Sequence, residues 1–234
     1  MPAFERWGTA HLAAIAITAV LPLILAAWSR HGDKANRTRV VGIGFALLLV
    51  GEILAQFLYS DRGTVQEWQE LVPLHVCDMA LFACVIACLT RKQLAFEIAY
   101  FWGLGGTMHG LITPDLEAGF PSPQFWLFFV GHGGIVGCVL YLVFGMQLRP
   151  NLKSVVRVFY ALLAYAVVSG LFNLMFGTNY GYTRAKPGAG SLMDLLGPWP
   201  WYIGSLIIVA VLSFFILYLP WLIKDRLEKQ GETS

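Results

Sequence analysis

The chain has 234 residues, of which 57% are hydrophobic and 13% charged, with a formal net charge of +2. Soluble domains carry about 25% charged residues, so this composition, with eight Trp, nine Tyr and sixteen Phe, fits a chain living in lipid with aromatic belts at the interfaces. So small a net charge, with no basic run and no glycine-rich phosphate loop, argues against nucleic-acid and nucleotide partners.

Hydropathy marks seven apolar segments, at 11–28, 40–59, 72–89, 94–112, 125–148, 155–176 and 201–223. The first is preceded by Glu5 and Arg6 rather than a positive leader, and no small-residue cleavage site follows it, so it is expected to stay as an anchor. Lys and Arg side with alternate loops, twelve on one set and four (Arg6, Arg62, Arg184, Lys186) on the other. By the positive-inside rule this predicts an N-terminus outside and a cytoplasmic C-terminus, as an odd number of spans requires. The expected fold is all-α, a bundle of seven transmembrane helices in the cytoplasmic membrane. Residues 1–234 form a single integral membrane domain with a short polar tail from about 224. The four cysteines, Cys77, Cys84, Cys88 and Cys138, all lie in apolar segments without CxxC spacing. Neither a disulfide framework nor a zinc ribbon is indicated, and three of them read as small buried hydrophobes.

On this topology the polar residues gather in one leaflet. Segment three enters from outside with His75, Cys77 and Asp78 in its outer third. Segment four ends outside at His109, Thr113 and Asp115, and His132 of segment five lies about 10 Å below the outer boundary. Segment two contributes Glu52 and Gln56, one turn apart on one face. Segment six ends at Asn173, followed by Asn179 and Tyr180. The inner half offers Glu97, near the interface and within reach of water or Arg91. Ionisable groups at membrane depth are costly and point to a functional site, here a polar chamber opening outward. Glycines in WGLGGTMHG and GHGGIVG suit close helix packing. The long connection between segments six and seven reads as a loop held by an interfacial belt of Trp199, Trp201 and Tyr202.

Cys77 is the candidate nucleophile. With Pro73 placed in the first helical turn, Cys77 falls about one turn inside, where the helix dipole gives a thiol little help and a base is needed. His75 is two residues away and points elsewhere on a helix, whereas His75 and Asp78 are i,i+3 neighbours that can pair. The base must come from another helix, and both His132 and His109 lie at a suitable depth. Thiol and imidazole together form the usual activated pair for acyl transfer. A zinc site built from the three histidines with Asp78, Asp115 or Cys77 is an alternative, although no two of those histidines have the i,i+3 or i,i+4 spacing that makes one helix bidentate.

The stretches LVPLHVCDMALF, AYFWGLGGTMHGLITPDL, FPSPQFWLFFVGHGGIV and TNYGYTRAKPGAGSLMDLLGPWPWYI resemble the YwaF-like integral membrane proteins. Their animal relative is transmembrane protein 164, an acyltransferase of ether phospholipid remodelling. The resemblance runs from about segment two to segment seven. It implies that Cys77 carries the acyl group and that His132, in GHGG, assists it. The expected function is therefore thiol-dependent acyl transfer on a membrane lipid. Cys77 is the nucleophile, His132 the base, His75 and Asp78 orient the site, and Asn173 or His109 donates to the oxyanion. Glu52, Gln56, Asn173, Asn179 and Tyr180 line the substrate chamber. No metal or other cofactor is called for, and the partner is a membrane lipid. The alternatives are a non-catalytic binding or transport protein for a small polar ligand, and a zinc-dependent membrane hydrolase. Transport fits less well, because the polar residues do not continue through the inner half.

Overall fold

A computed structural model describes residues 2–59, 68–186 and 192–231; Arg62, one of the residues in the charge count, lies outside them. Among the described residues the fold is helical, apart from an isolated bridge between Ala3 and Ala118. The α-helices are α1 (Thr9–Ser29), α2 (Lys34–Tyr59), α3 (Val76–Thr90), α4 (Gln93–Trp102), α5 (Met108–Ile112), α6 (Pro123–Phe144), α7 (Leu152–Phe176) and α8 (Trp201–Gly231). A π-turn at Gly103–Thr107 joins α4 to α5, so apolar segment four is one helix with a widened turn in its middle. Five helices, α1, α2, α6, α7 and α8, are long and apolar enough to cross a membrane. α3 has 15 residues, fewer than the roughly 20 that a simple span needs.

The chain divides into two compact units, Met1–Leu148 and Arg149–Ser234. In the first, α6 is the axis: 56% of its apolar window is buried, against 17% for α1 and 33% for α2. It packs on α1, α2 and α3. Its start is set locally, with Ser122 as N-cap accepting the Phe125 N–H at 3.2 Å and Pro123 in the first turn, where the missing N–H costs nothing. Around the first half of α6, Leu111, Phe125, Phe129 and Val136 form a buried apolar cluster. The N-terminal residues close over it: the Phe4 N–H donates to Glu117 O at 2.8 Å, and the Phe4 ring meets His11 and Phe129. His11 is fully committed to this packing. Its Nδ1 accepts the Trp7 N–H at 3.0 Å and its Nε2 lies 2.8 Å from Leu111 O, which fixes a neutral imidazole with the proton on Nε2.

Two sequence expectations in the first unit need correction. Pro73 is not helical; α3 starts at Val76 with His75 as its N-cap. Cys77 is therefore the second helical residue, in the first turn rather than one turn inside. Glu97 does not reach water: it is fully buried and accepts from Gln93 Nε2 at 3.0 Å, the i,i+4 partner within α4.

The second unit consists of α7, α8 and the connection between them. α7 ends at Gly177, whose φ of +76° suits the left-handed cap. Asn173, fully buried in the last turn, organises the chain that follows. Its Nδ2 donates to Tyr180 O at 2.8 Å and Thr183 Oγ1 at 2.7 Å, while its Oδ1 accepts from Thr178 Oγ1 at 2.7 Å and the Tyr180 N–H at 2.8 Å. Asn179 repeats the device a few residues on, donating to Ala185 O and accepting from the N–H groups of Arg184 and Ala185. Tyr202, expected in the interfacial belt, is instead buried and donates its hydroxyl to Tyr182 O; Trp199 and Trp201 are exposed. Asn173→Ala should therefore unfasten this connection. Each buried group left unpaired costs about 1–3 kcal/mol, so we expect a clear fall in melting temperature and faster proteolysis between 178 and 186. Wild-type melting and cleavage would show that the network contributes nothing.

Candidate functional site

Three elements of the first unit, α2, α3 and α6, bear the site's polar side chains, and α5 packs a glycine against one of them. On α3, Asp78 Oδ2 accepts the His75 N–H at 2.7 Å and the His75 side chain faces the Asp78 N–H, which makes a capping box. The sequence expectation of a His75–Asp78 pair is met through the backbone, because N-cap and N3 are the positions that a first turn places opposite each other. Cys77 lies between them in the same turn. Of the four cysteines it is the one not fully buried.

Glu52 of α2 is 4% exposed and accepts from Gln56 Nε2 one turn away. It lies against the α6 backbone: a Cβ at Gly131 would stand 2.8 Å from Glu52 Oε1. The glycine is therefore what lets a buried carboxylate approach the axial helix. Next along α6, His132 stacks on Phe128, with centroids 4.2 Å apart and planes 12° apart. Its Nδ1 lies 3.2 Å from the Phe128 carbonyl. A carbonyl only accepts, so Nδ1 carries the proton and the lone pair sits on Nε2. The ring's other side is shaped by α5, where a Cβ at Gly110 would fall 2.8 Å from His132 Cδ2 and 3.2 Å from Nε2. The π-turn lies beside the start of α3, with Gly106 opposite Val76.

Electrostatic reach links these groups. Cys77 feels both Asp78 and Glu52, Glu52 feels Asp78, His75 feels Asp78, and His132 feels His75. Glu52, His75, Cys77, Asp78 and His132 thus lie within electrostatic range of one another along α2, the start of α3 and α6, which pack together. Gln56 belongs to this group through Glu52. His109 does not join it: its side chain is exposed, and its carbonyl accepts the Thr113 N–H at 2.9 Å and Oγ1 at 3.0 Å. Asn173, Asn179 and Tyr180 belong to the second unit and serve its connection. Both Asn173 N–H groups are donated within that network, which leaves none for a substrate oxygen, so the expected oxyanion role of Asn173 is corrected. Among the described residues no three His, Cys, Asp or Glu side chains come close enough to hold a metal ion, so the zinc alternative lacks a donor set there.

Sequence reasoning overlooked Gly131 and Gly110 as site-shaping positions, taking them for helix packing, and passed over Thr107. The available signal was their place in the glycine-rich runs next to His132 and His109.

The TMEM164 family matches residues 6–218. The chain is also similar to an uncharacterized protein of Treponema pallidum (strain Nichols), 25% identical over 224 residues, which is 93% of this chain and 90% of that one. No solved structure matches.

Proposed function

The chain belongs to the TMEM164 family, and from that premise and the side chains described above we propose that it transfers an acyl group from a membrane lipid through a thioester on Cys77. Two observations support this reading: a reachable thiol in the first turn of α3, and on α6, which packs on α3, an imidazole whose tautomer leaves Nε2 basic. Nδ1 is fixed on the Phe128 carbonyl, so His132 Nε2 accepts the Cys77 proton as sulfur attacks the ester carbonyl. The same nitrogen then returns the proton to the leaving alcohol oxygen of the lipid. A second acceptor alcohol attacks the thioester by the reverse route. His75 and Asp78 hold the turn that carries Cys77, and Glu52 with Gln56 supplies polar contacts to the lipid's head. A shallow, open hollow of about 450 Å³ between the end of α2 and the start of α6, lined by Ala55, Leu58, Tyr59, Pro123, Trp126 and Leu127, gives an apolar surface that suits an acyl chain on the helix that carries Gln56.

The test is intact-protein mass spectrometry after incubation with phospholipid, together with trapping by a lipid-like thiol-reactive probe. Acyl mass on the peptide bearing Cys77 is the expected result. A protein that binds phospholipid without gaining mass would favour the second reading. That reading rests on the two carboxylates, Glu52 and Asp78, beside Cys77: a non-catalytic site for a small cationic or hydroxylated ligand.

We further propose seven spans in the cytoplasmic membrane, N-terminus outside, with α3 and the rod of α4, the π-turn and α5 completing the five longer helices. Support comes from the charge asymmetry, twelve Lys and Arg against four. In a Cys77→Ala background, single cysteines at Gly63 and Gly188 should label from outside intact cells with an impermeant reagent, and one at Gly32 should not. Outside labelling at Gly32 reverses the orientation.

A further inference from the structure

The π-turn strands a hydroxyl. Thr38 in α2 and Thr90 in α3 settle theirs on the carbonyl one turn back, on Lys34 and Ile86, as does Thr113, just past α5, on His109. For Thr107 the corresponding carbonyl is that of Gly103, which the widened turn shifts onto the N–H of Met108, one residue further along, and which the Thr107 hydroxyl does not bond. Thr107 is 4% exposed, and its Oγ1 is buried without a hydrogen-bond partner. Native interiors tolerate few such orphans, and each calls for an explanation.

Its neighbours locate it. The π-turn packs on both α3 and α6. Gly106, one residue before Thr107, faces Val76, with 3.8 Å from a built Cβ to Val76 Cγ1; Gly110, three residues after, faces the His132 ring. Thr107 thus belongs to the short length of helix that touches the wall bearing Cys77 on one side and the wall bearing His132 on the other. π-turns recur at functional sites because they release groups that an α-helix would satisfy internally.

We propose that Thr107 is the oxyanion donor of this site, its hydroxyl hydrogen-bonding the oxygen of the carbonyl that Cys77 attacks. This rests on the acyl-transfer reading above. As the S–C bond forms, the thiol proton moves to His132 Nε2 and the carbonyl π-electrons pass to oxygen, which accepts the Thr107 O–H. Collapse restores C=O, breaks the ester C–O bond and returns the proton from His132 to the departing alcohol. Thr107 fills the role for which Asn173 and His109 were the sequence candidates.

The test uses the full-length protein in detergent micelles with a p-nitrophenyl acyl ester, following p-nitrophenolate release and acyl mass on Cys77. Thr107→Val keeps the shape and removes the hydroxyl. Losing one oxyanion donor lowers the rate about 10²–10³-fold, so the maximal acylation rate should fall by that factor with the half-saturating ester concentration unchanged. The melting temperature should hold or rise, since a buried unpaired hydroxyl is removed. Thr107→Ser should retain most of the rate. Wild-type acylation by Thr107→Val, or a lowered melting temperature showing that the fold uses the hydroxyl, overturns the Thr107 assignment and leaves the acyl-transfer reading standing if wild type still forms the Cys77 adduct. No adduct on wild type removes both.

Discussion

Cys77→Ala should abolish both the acyl adduct and lipid turnover. The other thiols cannot substitute. Cys84 is seven residues further along α3, about 10 Å deeper, and is buried with its Sγ against Ile135 O. Cys88 and Cys138 are buried as well, their sulfurs 3.3 Å apart across α3 and α6. Buried thiols in apolar surroundings are unreactive. The substitution should leave folding intact, because Cys77 is only half-buried and the capping box that starts α3 uses His75 and Asp78. The measurement is intact mass and lipid turnover after incubation with phospholipid, for wild type and variant side by side. Persistent turnover by Cys77→Ala would end the covalent mechanism. Turnover by neither protein, with phospholipid still bound, would put the carboxylate binding site ahead.

His132→Ala should slow adduct formation by about 10²–10⁴-fold, the range for loss of a general base, without removing the adduct altogether. A milder change at the neighbouring helix tests the same geometry from the other side. Gly110→Ala places a Cβ 2.8 Å from His132 Cδ2, and the ring, backed by Phe128, must shift or tilt. A misplacement of about 1 Å can cost about 10²-fold in rate, so Gly110→Ala should lie between wild type and His132→Ala. The checks are single-turnover acylation rates and a melting curve for each variant. Equal rates for wild type and His132→Ala would remove His132 as the base. A Gly110→Ala protein that acylates like wild type would show that the ring adjusts freely.

Much of the site was written locally. The i,i+4 spacing of Glu52 and Gln56 and the i,i+3 spacing of His75 and Asp78 follow from the helix repeat, and both pairs meet in the structure. Hydropathy located the five helices long and apolar enough to cross a membrane, because lipid-facing side chains must be apolar along a helix's whole length. Where α3 begins was not legible from Pro73 alone. A proline fits the first helical turn but equally fits the extended segment before an N-cap, and the reciprocal box between His75 and Asp78 decides the matter.

Which of His109 and His132 packs between helices was a tertiary decision. On sequence, His109 and His132 stood level by depth, since a 3.6-residue wheel was the only guide to where each pointed. The π-turn at Gly103–Thr107 resets that wheel partway along its helix. His109 becomes exposed while Gly110 is pressed against the His132 ring. The Thr107 hydroxyl, at the end of that turn, is buried without a partner, and composition and hydropathy give no warning of either effect. Asn173 shows the converse: a polar residue at a helix end looks available in sequence, but its amide is consumed by backbone and hydroxyl groups up to ten residues further on. Sequence by itself determined the apolar helical segments and the local pairs, because these depend on period and polarity. Only the tertiary structure decided which groups remain open to a substrate, because that depends on which hydrogen bonds the fold has already used.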